Sequence, residues 1–182
     1  MDSSTIYSPA VIDMLTVSAR FCNFLEQLSA AGTTRRQLLD QLTRVLPLLY
    51  VKAILLPQVE PTDEIDTLAE IVTEDDYEEV RQSVWRLLQA DDEYLEVFTP
   101  DMQFSEGATT RTISEDLADI YQDLKNFAAI YADRNEAAMP DAIAKVSDNF
   151  RTYWGQRLVN AMRPLHELTY NRPDKADDGE DQ

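Results

Sequence analysis

Apolar residues recur along most of this chain at three- and four-residue steps, the spacing of one face of a helix. The clearest case is Thr112–Arg134, TISEDLADIYQDLKNFAAIYADR. Ile113, Leu117, Ile120, Tyr121, Leu124, Ala128 and Tyr131 fall on one narrow face of it. Thr112 is placed to cap this helix, with Glu115 completing a capping box. The opposite face carries Asp116, Asp119 and Asp123 in a single stripe.

The same pattern predicts the other elements in chain order. A first helix over Pro9–Ala31 has Ser8 at its N-cap, Pro9 in the favoured first position and Gly32 as its stop. Tyr7 and Ile12 have the spacing of a hydrophobic staple. Its apolar arc is so broad that burial at the centre of a bundle is expected, with Cys22 inside the arc as a small core residue. A second helix starts at Thr34, boxed by Gln37, and turns Leu38, Leu42, Val45, Leu46, Leu49 and Ala53 inward. Pro47 within it predicts a kink or a break. Pro57 and Pro61 mark a turn, and Asp63–Val72 reads as a short helix. Thr73 opens a third long helix with Tyr77, Val80, Val84, Leu87 and Leu88 inside. The last helix, from about Met139 to Leu168, aligns Ile143, Val146, Phe150, Trp154, Leu158, Ala161, Leu165 and Leu168, and Pro164 should bend its end.

These elements add up to an all-α fold: an antiparallel bundle of about four long helices plus one short one. An irregular loop with one extended piece is expected near residues 90–110. Residues 1–170 are expected to form one domain, and residues 171–182 a disordered acidic tail. The low glycine count, 4 in 182 residues, suits helices better than strand bulges and tight turns.

Charge narrows the partners. The chain has 34 acidic and 16 basic residues, a net charge of −18. Nucleic-acid affinity rests on cationic contacts to phosphate, so direct nucleic-acid binding is not expected, nor is an anionic membrane surface. A basic protein partner or a divalent cation is the natural counterpart, and a homodimer is compatible with the first. One cysteine cannot form an internal disulfide, no apolar run reaches the ~20 residues of a membrane span, and the first residues lack a signal-peptide pattern. The cytoplasm is the expected compartment.

The candidate chemistry is carboxylate chemistry. Asp116, Asp119 and Asp123 are neighbours on one helix face, where like charges repel by roughly 0.2–0.5 kcal/mol per pair. Solvent, an arginine from another helix, or a metal ion could neutralise them. Arg157 makes the second option specific, because it interrupts the apolar stripe of the last helix and needs a carboxylate; a solvated acidic face remains the plainer reading. Asp119 or Asp123 would supply one across the bundle. The metal option would draw on Asp116, Asp119, Asp123, Glu74 and Glu78 around Mg²⁺, an ion that prefers oxygen ligands. His166, the only histidine, excludes a His-rich zinc site. Ile130, on the acidic side of its helix, points to a second packing surface there.

The run Ser114–Phe127, SEDLADIYQDLKNF, resembles a bacterial family catalogued as domain of unknown function number five thousand and sixty-three. The resemblance covers most of the chain apart from the acidic tail. It implies an all-helical fold without an assigned activity and, from genes that neighbour an RNase D-like exonuclease, an accessory role beside nucleic-acid processing. It transfers no catalytic residue. The function expected is a non-enzymatic module that works by protein–protein contact, with a Mg²⁺-dependent nucleotide phosphohydrolase as the alternative.

Overall fold

The computed structural model describes residues 3–62, 65–96 and 109–172. Its helices are α1 (Ser3–Ile6), α2 (Pro9–Glu26), α3 (Arg35–Ile54), α4 (Glu74–Leu88), α5 (Ile113–Ala132), α6 (Met139–Asn149) and α7 (Gly155–Tyr170). A π turn, Phe150–Trp154, joins α6 to α7 without a break. Two short strands, β1 (Glu93–Leu95) and β2 (Thr110–Thr112), pair antiparallel just before α5. The fold is all-α apart from this small ribbon. Among the described residues no helix is long and apolar enough to cross a membrane.

The centre of the bundle is α5. It packs against α2, α4, α6 and α7, and no residue from 111 to 131 is exposed. Ile113, Leu117, Ile120, Tyr121 and Leu124 form the buried face that the pattern predicts. The pattern alone would put α2 in the middle, because its apolar arc is the broader one. Instead α2 lies outside, burying Val11, Met14, Phe21, Cys22 and Leu25 while Ile12, Asp13 and Arg20 face solvent. Breadth of the apolar arc is a poor guide here because the polar face of α5 is also covered, by polar partners.

Several local expectations hold. Thr34 and Gln37 form their capping box, and the predicted inner face of α3 is buried. The break expected as one option at Pro47 does not occur, since α3 runs continuously through it. Thr73 makes a capping box with Asp76. Ile130 is buried in the main core on the side of α6, so its second packing surface is another helix of the bundle.

Others are corrected. Regular helix in α2 ends at Glu26, and turns carry the chain on to Gly32, whose φ is +61°. Ser8 makes no side-chain cap. Tyr7 and Ile12 are both exposed, and the Tyr7 hydroxyl donates to Glu136 at 2.8 Å instead of stapling the helix. Thr112 accepts from the amide of Glu115, but Glu115 does not return the bond. Of the short helix expected over Asp63–Val72, residues 63 and 64 lie outside the described residues, and the rest holds one 3-10 turn, Ile65–Thr67. Asn126 of α5 explains part of this, since its side-chain oxygen accepts from the amides of both Ile71 and Val72 and holds them outside a helix. The β1–β2 ribbon replaces both ends of the loop expected near 90–110, while residues 97–108 lie outside the described ones. Of the expected tail, Asn171 and Arg172 close the end of α7 through amide bonds to the Glu167 carbonyl. The remainder, 173–182, lies outside the described residues.

Candidate functional site

The polar face of α5 is met by side chains from every side. Its N-terminus is fixed first. Asp92, buried just before β1, accepts from the Ser114 amide at 2.8 Å and from its hydroxyl at 2.6 Å, and its carbonyl accepts from the Ile113 amide. These bonds satisfy amides that a helix start leaves without partners. They also tie the ribbon to α5. Tyr94 and Arg111 stand opposite each other in the ribbon register, so both are delivered to one place.

That place is Asp116, which is fully buried. It accepts a hydrogen bond from the Tyr94 hydroxyl and another from Arg111 at 3.3 Å, with Arg157 of α7 at 3.9 Å. One turn on, Asp119 accepts from the Tyr77 hydroxyl of α4 at 2.9 Å. Arg111 lies 3.8 Å and Arg157 3.7 Å from its other oxygen. Glu96 is 3.7 Å from Arg157 and accepts from Asn160. The Arg157 guanidinium also lies over the Tyr153 ring, 5.2 Å from its centre, a cation–π placement. Two arginines thus share three carboxylates, with tyrosines filling the remaining acceptor positions.

Burial dominates the proton affinities here. It pushes Asp116 up to about 6, against the pull of Tyr94, Arg111 and Arg157. Burial and neighbouring Asp119 push the Tyr153 hydroxyl up to about 12, and the same two causes raise Tyr77 further. The phenols therefore stay protonated and serve as donors.

Asp123, the third residue of the stripe, has different company. It accepts from Asn149 of α6 at 2.6 Å and lines a cavity of about 220 Å³ between α5, α6 and the segment before α4. Burial pushes its carboxyl up to about 6, with Asn149 and Lys145 opposing. Of the two aspartates proposed as partners for Arg157, the one beside it is Asp119; Asp123 is paired with Asn149, one turn further along α5.

The five carboxylates considered for Mg²⁺ do not come together as a metal site. Asp116 and Asp119 face arginines and tyrosines. Glu74 is exposed in the first turn of α4. Glu78 is held by Arg81 and Gln82, which keep it well below the usual carboxylate range. Among the described residues, no three His, Cys, Asp or Glu side chains are placed to hold a metal ion. Cys22 is buried, and burial pushes its thiol up to about 12, which removes its nucleophilicity at neutral pH. His166 is exposed beside Tyr170.

The model of a family described as a domain of unknown function, DUF5063, matches residues 5–171. The chain belongs to this family. The crystal structure of protein BF1032 from Bacteroides fragilis is similar to it, with a TM-score of 0.79 at 37% identity, over 94% of this chain and 98% of that one. No curated protein matches.

In this DUF5063 chain, residue patterns missed Arg111, Tyr77, Tyr94, Glu96 and Asn149. They come from four separate parts of the sequence, Tyr94 and Glu96 together from β1 and its end, and no spacing rule links them. One signal was present. On the last helix Asn149, Tyr153, Arg157 and Asn160 recur at four-, four- and three-residue steps, a polar line beside the apolar one. Such a line on a buried helix implies a polar surface opposite it.

Proposed function

We propose that this protein is a non-enzymatic module that works by protein–protein contact, its acidic surface steering a basic protein partner. One observation carries the reading. The acids inside the fold, Asp116 and Asp119, are answered by Arg111 and Arg157 of the same chain. The exposed acids Glu74, Asp75 and Glu79 crowd the start of α4 on a chain of net charge −18. A field of that sign speeds encounter with a positive partner and rejects phosphate backbones.

The phosphohydrolase alternative needs carboxylates from two helices with oxygens open to Mg²⁺, and the internal cations compete for those oxygens. Thermal unfolding separates the two readings. On the interaction reading, Mg²⁺ and Mn²⁺ leave the melting temperature of wild type and of Asp119→Asn shifted equally. A basic polypeptide binds in low salt and is released in high salt. A rise of several degrees with Mg²⁺ that disappears in Asp119→Asn would favour the hydrolase and remove this reading.

A further inference from the structure

The cavity beside Asp123 is a small site between α5, α6 and the segment before α4. Phe127, Ile130 and Val146 make part of its lining apolar. Its volume of about 220 Å³ is below the about 300–1,000 Å³ of pockets for drug-sized ligands, so it suits one side chain better than a whole metabolite. Its polar content is unbalanced. Asp123 receives one neutral hydrogen bond, from Asn149, and Asp119 and Glu70 add negative potential. The cation in the lining, Lys145, is paired with Glu70 at 2.9 Å. A half-buried carboxylate with one neutral hydrogen bond gains from an incoming cation.

The walls select which cation. Tyr153 lines the cavity and is partly exposed, and its ring already takes one guanidinium, that of Arg157, on its face. Next to it are the flat amides of Gln122, Asn126 and Asn149. Apolar and planar walls suit a flat, weakly hydrated guanidinium more than a compact, strongly hydrated ammonium. We infer that this cavity receives the guanidinium of an arginine on the basic partner protein, bound to Asp123. This rests on the interaction reading above and names the chemistry of the partner's anchor.

The test compares two peptides of equal charge on the full chain by fluorescence anisotropy in low salt: one with a single arginine in a run of lysines, the other all lysine. The arginine peptide should bind about tenfold tighter, the scale of one buried anchor. Asp123→Asn should erase that advantage. So should Ala69→Trp, which obstructs the cavity from an exposed lining position and does not touch the core. Equal affinities, or an advantage that survives both variants, would overturn the cavity assignment while leaving the acidic-surface reading in place. Binding of neither peptide would overturn both. Free arginine amide binding as tightly as the peptide would reassign the cavity to a small guanidinium compound and overturn the partner assignment.

Discussion

Two acidic runs have opposite surroundings in this molecule. Glu74, Asp75, Asp76, Glu78 and Glu79 open α4, where water, the helix dipole and a local Arg81 surround them. Asp116, Asp119 and Asp123 line α5, where other helices surround them. Their proton affinities separate accordingly. Asp76 is lowered by hydrogen bonds from Thr73, and Glu78 by those from Arg81 and Gln82, whereas burial raises Asp116 and Asp123. Both runs are carboxylates carried on a single helix, and what sorts them is what the rest of the fold brings to each.

The sharpest way to break the contrast is to remove a cation from each run. Arg157→Ala leaves Asp116, Asp119 and Glu96 with Arg111 alone. It should cost roughly 3 kcal/mol, the low end for breaking a buried pair because one guanidinium remains. Arg81→Ala should move the urea midpoint little, since exposed pairs contribute little. Equal losses in the two variants would mean that Arg157 is effectively solvated.

Acidity sharpens the same contrast. Asp116 and Asp123 titrate near 6 in the fold, against about 3.9 unfolded. Between these values the native state holds more protons than the unfolded one. Their contribution is therefore full below about pH 4 and is lost as pH rises through about 6. Asp76 and Glu78, lowered in the fold, act the other way: their contribution is present above the unfolded value and is lost as pH falls below it. Stability should thus rise from pH 7 toward pH 5 and fall again in stronger acid. Asp123→Asn should flatten the upper slope and gain about 1–2 kcal/mol at pH 7. Asp116→Asn should lose stability there, because two arginines depend on that charge. Chemical denaturation at several pH values reads both.

A smaller loss than that of Arg157→Ala is expected at the solvent end. Thr73→Ala removes the cap of α4 and should cost about 1 kcal/mol, with the far-UV helical signal nearly unchanged. A larger loss would mean that the start of α4 is tied into the core.

The parts legible in the sequence are those governed by a single helix. The Thr34 and Thr73 caps, the inner face of α3 and the apolar line of α5 each follow from residues a few positions apart. The choice of centre was not legible, because α5 is covered on its polar side by Tyr77, Tyr94, Arg111 and Arg157 from four separate elements. The stretch before α4 failed for a related reason. Its amides are held by Asn126, a residue 54 positions beyond Val72. Of the candidate site, Arg157 stood out because an arginine inside an apolar stripe needs an answer. Arg111 had no such context, lying outside every predicted apolar stripe until the ribbon brings it to Asp116.

The π turn sets the phase of everything after it. Val146, Phe150, Trp154 and Leu158 are spaced by three consecutive four-residue steps, which in an ideal α-helix would drift by about 120°. The wide turn takes up the surplus, and Gly155 permits it, since a side chain there would meet the Phe150 carbonyl at 2.2 Å. One residue more or fewer between Phe150 and Trp154 would act like a slipped gear tooth. Tryptophan and leucine could still find oil to sit in, but Arg157 would come round pointing away from the aspartates. The length of that single turn is thus the alignment mark by which the final rod presents its charge to the middle one.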